Sequence, residues 1–199
     1  LSGSAEAYYD YVGVINSLNV RDCVICDMGG GSFELAVVVD KEAVSYVSIP
    51  YGAVSLAEKF NAHDKISAQD LFKFYRFVLY KFRQLPWLLQ GTKLPLVLLG
   101  GANRTVARKE LMRLGRKDLE NIHGVSMSAY SFIETYTEWL GMDCKERADI
   151  LGPEAERADI IIAGLSPIMF LIEYLQTPEI IFSESGVREG VLYSMLKRK

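Results

Sequence analysis

The chain has 199 residues, half of them hydrophobic and 24% charged, with a formal net charge of −3. That is enough for one well-cored domain, and it leaves no basic footprint for DNA. A site that handles phosphate in such a chain must find its positive charge locally.

The three cysteines, Cys23, Cys26 and Cys144, form no disulfide framework. Cys23-Val-Ile-Cys26 has CxxC spacing but lies inside an apolar run, so it reads as two buried reduced thiols, and reduced thiols point to the cytoplasm. The most apolar stretch, 160–175, follows Asp159 and contains Pro167 and Glu173. It is too short and too interrupted to span a membrane. The chain starts at Leu1 rather than Met, and we expect a fragment whose upstream part is missing.

Residues 4–14 read as a helix with Ser4 as N-cap and Glu6 in the first turn, where a glutamate favours the helix dipole. Three strands follow, at 22–27, 33–39 and 43–49. The first two flank Asp27-Met28-Gly29-Gly30-Gly31-Ser32-Phe33-Glu34. A hairpin needs only two turn residues, and this turn has three glycines, with a carboxylate before and a hydroxyl after. Without a Cβ, backbone N–H groups can approach an oxyanion closely and cradle it. Asp27 and Glu34 would repel that anion, and they make sense if a hard divalent cation sits between. The other reading is a glycine-rich hairpin with two solvated acids, and spacing alone leaves both open.

A short helix is expected at 53–60. Ser67 opens a second helix running to about Leu85, with an aromatic stripe that reads as core. Residues 94–99 read as strand, followed by Gly100-Gly101-Ala102-Asn103-Arg104-Thr105 and a helix. Arg104 could bind phosphate bidentately or be a solvated loop residue. Another helix is expected at 129–140, ended by Gly141, and Asp143 with Glu146 forms a capping box. His63 and His123 have no ligand-spaced partner and read as structural. Next comes an apolar helix to Leu175, kinked at Pro167. Arg157 and Asp159 stand at its start, either as an ion pair or with Arg157 supplying charge to the glycine turn. Residues 180–182 form a last strand, and Gly186-Val187-Arg188-Glu189-Gly190 opens the final helix.

Several of these segments together resemble the exopolyphosphatase/guanosine pentaphosphate phosphatase (Ppx/GppA) family of the actin-like ATPase superfamily. The carriers are Leu1-Ser2-Gly3-Ser4-Ala5-Glu6-Ala7 with Gly13-Val14, the Asp27–Glu34 turn, Ile49-Pro50-Tyr51-Gly52-Ala53, Arg157-Ala158-Asp159 with Ala163-Gly164, and Ser183 through Leu192. The order of these motifs over nearly the whole chain makes the resemblance specific. Two departures stand out: Ala5 replaces the first glutamate of the family motif, and Asn103-Arg104 disturb its second glycine-rich loop.

The resemblance implies a ribonuclease-H-like, actin-like ATPase domain. Its five-stranded mixed sheet would be a three-stranded antiparallel meander plus two parallel strands, flanked by helices. It implies hydrolysis of a terminal phosphoanhydride in inorganic polyphosphate or guanosine pentaphosphate, with Glu6 as general base. Gly29, Gly30, Gly31, Ser32 and Arg157 would hold phosphate, and Asp27 with Glu34 would place Mg²⁺ or another divalent cation. Residues 1–199 would be the C-terminal half of a two-domain phosphatase, inactive alone. Residues 187–199 would pack toward the missing N-terminal domain or pair with a second copy in a homodimer. The alternative is a non-catalytic regulator that binds polyphosphate or an alarmone, favoured by Ala5 and by Asn103-Arg104. A sugar or acetate kinase half is a third reading, which the Asn103-Arg104 change disfavours.

Overall fold

A computed structural model describes residues 1–196. Helix α1 (Gly3–Ser17) precedes the meander β1 (Cys23–Met28), β2 (Phe33–Val39) and β3 (Glu42–Ile49). Helices α2 (Ala53–Lys59) and α3 (Ala68–Arg83) lead to β4 (Leu96–Leu99) and α4 (Gly101–Arg113). Then come β5 (Ser126–Ser128), α5 (Ala129–Leu140), α6 (Cys144–Leu151), a 3-10 turn (Gly152–Arg157), α7 (Ile161–Leu175), β6 (Glu179–Phe182) and α8 (Val187–Leu196). The end of the proposed 187–199 segment, residues 197–199, lies outside the described residues.

The strands form one sheet in the order β3-β2-β1-β4-β6-β5. β1, β2 and β3 pair antiparallel, while β1–β4 and β4–β6 pair parallel. This is the expected architecture with one strand more: β5 adds an antiparallel edge beside β6. Its three residues are too few to show an alternation in sequence.

Period two splits the sheet's side chains between two cores. Cys23 and Ile25 of β1, Ala36 and Val38 of β2, and Val97 and Leu99 of β4 face α1, where Val14 meets them. Val24, Cys26, Met28, Leu35 and Leu98 face the larger core built with α2, α3, α4, α5 and α7. Central strands buried on both faces explain the unbroken apolar runs. Edge strand β3 alternates between exposed and half-buried positions.

Several expected details shift. The N-cap of α1 is Ser2, whose side chain accepts from the Ala5 N–H, rather than Ser4. Ser67 and Asp143 cap α3 and α6 as anticipated. The long apolar helix begins at Ile161, just after the Arg157–Asp159 segment. A 94° bend separates the 144–157 segment from α7, and α7 runs on through Pro167. Among the described residues, no single helix is long and apolar enough to cross a membrane. His63 contributes a backbone carbonyl, and His123 a ring contact, to the local packing. The His63 carbonyl accepts from Arg147, and the His123 ring meets the Ser17 carbonyl and the Glu184 N–H.

Helices α1 and α8 touch through glycines. A Cβ on Gly190 would overlap the Tyr9 carbonyl, and one on Gly13 would press on the Gly186 carbonyl. Gly190→Ala should therefore lower stability by about 1–3 kcal/mol, the usual cost of overpacking, read as an earlier midpoint in urea denaturation.

Candidate active site

The glycine turn joins β1 to β2, and the Gly29 N–H closes it by donating to the Ser32 carbonyl at 3.0 Å. The N-terminus of α2 fixes its orientation. The Ala53 and Val54 N–H groups donate to the carbonyls of Gly29 and Gly30 at 2.9 and 3.1 Å. In a trans peptide the C=O and N–H point in opposite directions. The N–H groups of Gly30 and Gly31 are therefore turned away from α2, and among the described residues they have no partner. Gly52 permits this approach, because a Cβ there would strike the Gly30 carbonyl.

This geometry sorts the expected phosphate ligands. Gly30 and Gly31 present free amides, whereas the Gly29 amide is engaged in the turn. The Ser32 hydroxyl donates to Glu34 Oε1 at 2.9 Å, so its proton is already committed. Ser48 donates to the same oxygen at 2.7 Å.

β4 runs parallel to β1, and both end beside the turn. Gly100 makes the corner into α4 with φ +97°, and a Cβ there would lie 2.8 Å from Asp27 Oδ1. A cavity of about 290 Å³ opens at these strand ends, lined by Asp27, Gly29, Gly30, Gly100, Arg104 and Arg157. Ligands in open α/β sheets bind at this end of the strands. Arg157 does not pair with Asp159. Its nearest acid is Glu154, at 4.0 Å, and the guanidinium lies against Gly101, where any side chain would displace it. Arg104 sits in the first turn of α4, exposed and near enough to lower the pKa of Asp27. Asn103 turns inward, and its amide donates to the Leu99 carbonyl. A larger cavity of about 610 Å³ shares Arg104 and Arg157 and is walled by Met112, Leu119, Trp139 and Leu151.

The carboxylates gather on the α1 face of the sheet. Asp27 and Glu34 are cross-strand partners, and both are in phase with side chains of the α1-facing core. On α1, Glu6, Asp10 and Val14 follow at intervals of four, hence on one face. Val14 packs on the sheet, so Asp10 and Glu6 point the same way. Oxygens of Asp10, Asp27 and Glu34 all lie within 4.8 Å of one another. Sequence reading missed Asp10. Its signal was present in the spacing to Val14, but that signal needs the sheet to have meaning.

Burial raises Asp10 to about 8, aided by the charges of Asp27, Glu34 and Glu6. Burial likewise raises Asp27 to about 6, with Glu34 and Glu6 adding to it and Arg104 opposing it. Burial also raises Glu34, against the hydroxyls of Ser48 and Ser32. Hard carboxylate oxygens suit Mg²⁺ or a similar cation, so Asp27 and Glu34 fit the expected metal role in type and position.

A mixed sheet of this order flanked by helices, with a glycine turn and a cleft holding two arginines at the strand ends, defines a domain of the actin-like ATPase fold. The chain belongs to the Ppx/GppA phosphatase family, whose profile matches residues 1–199. It is 28% identical over 200 residues to a guanosine-5'-triphosphate,3'-diphosphate pyrophosphatase of Vibrio cholerae, covering 99% of this chain and 38% of that protein. It is 27% identical over 212 residues to a bifunctional 3-dehydroquinate synthase/phosphatase of Fusobacterium nucleatum, covering all of this chain and 30% of that protein. A crystal structure of the Aquifex aeolicus Ppx/GppA family member superposes with a TM-score of 0.83 at 26% identity, covering 98% of this chain and 63% of that one. An exopolyphosphatase structure from Cytophaga hutchinsonii shares the fold, with a TM-score of 0.85 at 24% identity, covering 98% of this chain and 64% of that one. The chain thus spans about a third of the length of these curated relatives.

The buried acids give a pH dependence. A carboxyl whose pKa is raised by folding holds its proton more tightly in the folded state, so folding is favoured at low pH and this advantage is lost as pH rises. For Asp10 the window runs from the ordinary 3.8 to about 8. Stability of the metal-free chain should fall across that window, measured as urea midpoints at constant ionic strength, and Asp10→Asn should flatten the slope.

Proposed function

We propose that the protein releases terminal phosphate from inorganic polyphosphate or guanosine pentaphosphate, and that this chain supplies one wall of the active-site cleft. The observation that carries the reading is the pair of unpartnered amides at Gly30 and Gly31, beside Asp27 and within reach of the Arg104–Arg157 cleft. Free amides on a fixed turn stabilise charge on a transferring phosphoryl group without reorganising. Arg157 and Arg104 add positive charge to the same cavity. Glu6, half-buried at the start of α1 and close enough to perturb Asp27, orients the attacking water and accepts its proton. A hard divalent cation at Asp27 and Glu34 would supply charge opposite the phosphoryl oxygens.

Between the two substrates, the larger cavity favours the nucleotide. Its apolar wall with Trp139 suits a base better than a bare phosphate chain, and it shares both arginines with the phosphate cleft. The opposite wall would come from a second domain. Leu192, Met195 and Leu196 of α8 are exposed and suit contact with it, or with a second copy of this chain. The free buried thiols of Cys23 and Cys26 support a cytoplasmic setting.

The second reading, a regulator that binds phosphate chains without cleaving them, draws on Ala5 and on the inward turn of Asn103, which leaves the second loop without that polar contact. Phosphate release from both substrates with Mg²⁺ separates the two readings. The enzyme reading expects full-length protein to turn over and Glu6→Ala to lose about 10²–10⁴-fold with binding retained. It also expects the 199-residue chain alone to be inactive. Tight binding without release in the full-length wild type would favour the regulator.

A further inference from the structure

Asp10 has no part in the functions assigned so far, and its surroundings demand one. It is 1% exposed, and neither carboxylate oxygen has a hydrogen-bond partner. The Val187 N–H at the start of α8 faces it closely enough to favour the charged form, without reaching hydrogen-bond geometry. Among the described residues, no lysine or arginine forms a salt bridge with Asp10, Asp27 or Glu34. The loop before α8 closes behind it: a Cβ on Gly186 would stand 3.1 Å from Asp10 Oδ1 and 3.0 Å from Leu99.

A buried charge without a partner is strongly unfavourable, and buried charges are normally paired or bound to a metal. Asp10 oxygens lie within 4.8 Å of those of Asp27 and Glu34, a spread that one cation can bridge at ordinary metal–oxygen distances of about 2.0–2.6 Å. Glu34 Oε1 already accepts two hydroxyls, while Oε2 accepts none, so it retains a free oxygen for the same point.

We propose that Asp10 is a third carboxylate ligand, which lets the chain hold a divalent cation before any phosphate arrives. The inference rests on the cation placement proposed above and deepens it. Mg²⁺ sites are commonly completed by one or two carboxylates together with substrate phosphates. Three carboxylates from α1, β1 and β2 form a site that needs no substrate to complete its charge. The oxygen donors, and the lower cost of dehydrating a larger ion, favour Mn²⁺ over Mg²⁺.

The test is Mn²⁺ binding to the full chain without phosphate, followed by electron paramagnetic resonance and calorimetry for wild type, Asp10→Asn and Asp27→Asn. We expect wild type to bind one Mn²⁺ and Asp10→Asn to weaken binding at least tenfold. A structural role would make Asp10→Asn less stable throughout. The ligand role expects Asp10→Asn to melt higher than wild type without metal and to gain less on adding Mn²⁺. Should Asp10→Asn fail to fold, Asp10→Ala is measured in the same way. Affinity within twofold of wild type for the Asp10 variant, with Asp27→Asn defective, would overturn this inference and leave the cation at Asp27 and Glu34 standing. Wild type that binds no Mn²⁺ would overturn both.

Discussion

Like charges inside a protein repel unless something holds them, and this structure sets three carboxylates within 4.8 Å of one another on one face of its sheet. Two of them are fixed by strand register, since Asp27 and Glu34 are direct partners across β1 and β2. The third is fixed by helix phase, because Asp10 lies one turn before Val14, which the sheet buries. Each therefore projects from an element that the core holds in place. Burial is the chief cause of the raised pKa values of Asp10, Asp27 and Glu34, and neighbouring carboxylate charge adds to it. Positive charge opposes that rise, and the cleft provides some through Arg104, which acts on Asp27.

The glycine turn depends on the same placement from the other side. Two hydrogen bonds from α2 pull its carbonyls one way and so turn its amides the other. Gly52 and Gly100 allow α2 and the β4–α4 corner to close on the turn, where any side chain would overlap the backbone. Asp27 belongs to both the cavity and the carboxylate cluster. It is the point at which a cation and a phosphoryl group would share a boundary.

Much of this was legible in the sequence, for identifiable reasons. The three meander strands and the glycine turn follow from alternating or continuous apolar runs and three successive glycines. The capping residues Ser67 and Asp143 followed from local chemistry alone. The family followed from motif order, which the match over residues 1–199 bears out. What was not legible needed tertiary context. β5 has three residues and exists because β6 offers it an edge. The break before α7 falls at Ala158–Ile160, ahead of Pro167, because Arg147 anchors the Ala158 carbonyl from a neighbouring helix. Asp10 is one of two acids on α1, and only the sheet reveals that both face inward. The glycine spacing also did not show that the Gly29 N–H closes the turn on the Ser32 carbonyl, or that the Ser32 hydroxyl donates to Glu34.

The most direct test of the account is a crystal structure of the chain with Mn²⁺ and inorganic phosphate, using anomalous scattering to place the metal. The account predicts a manganese peak among Asp10, Asp27 and Glu34, with phosphate on the amides of Gly30 and Gly31. Phosphate bound away from that turn, with no metal at the carboxylates, would contradict it.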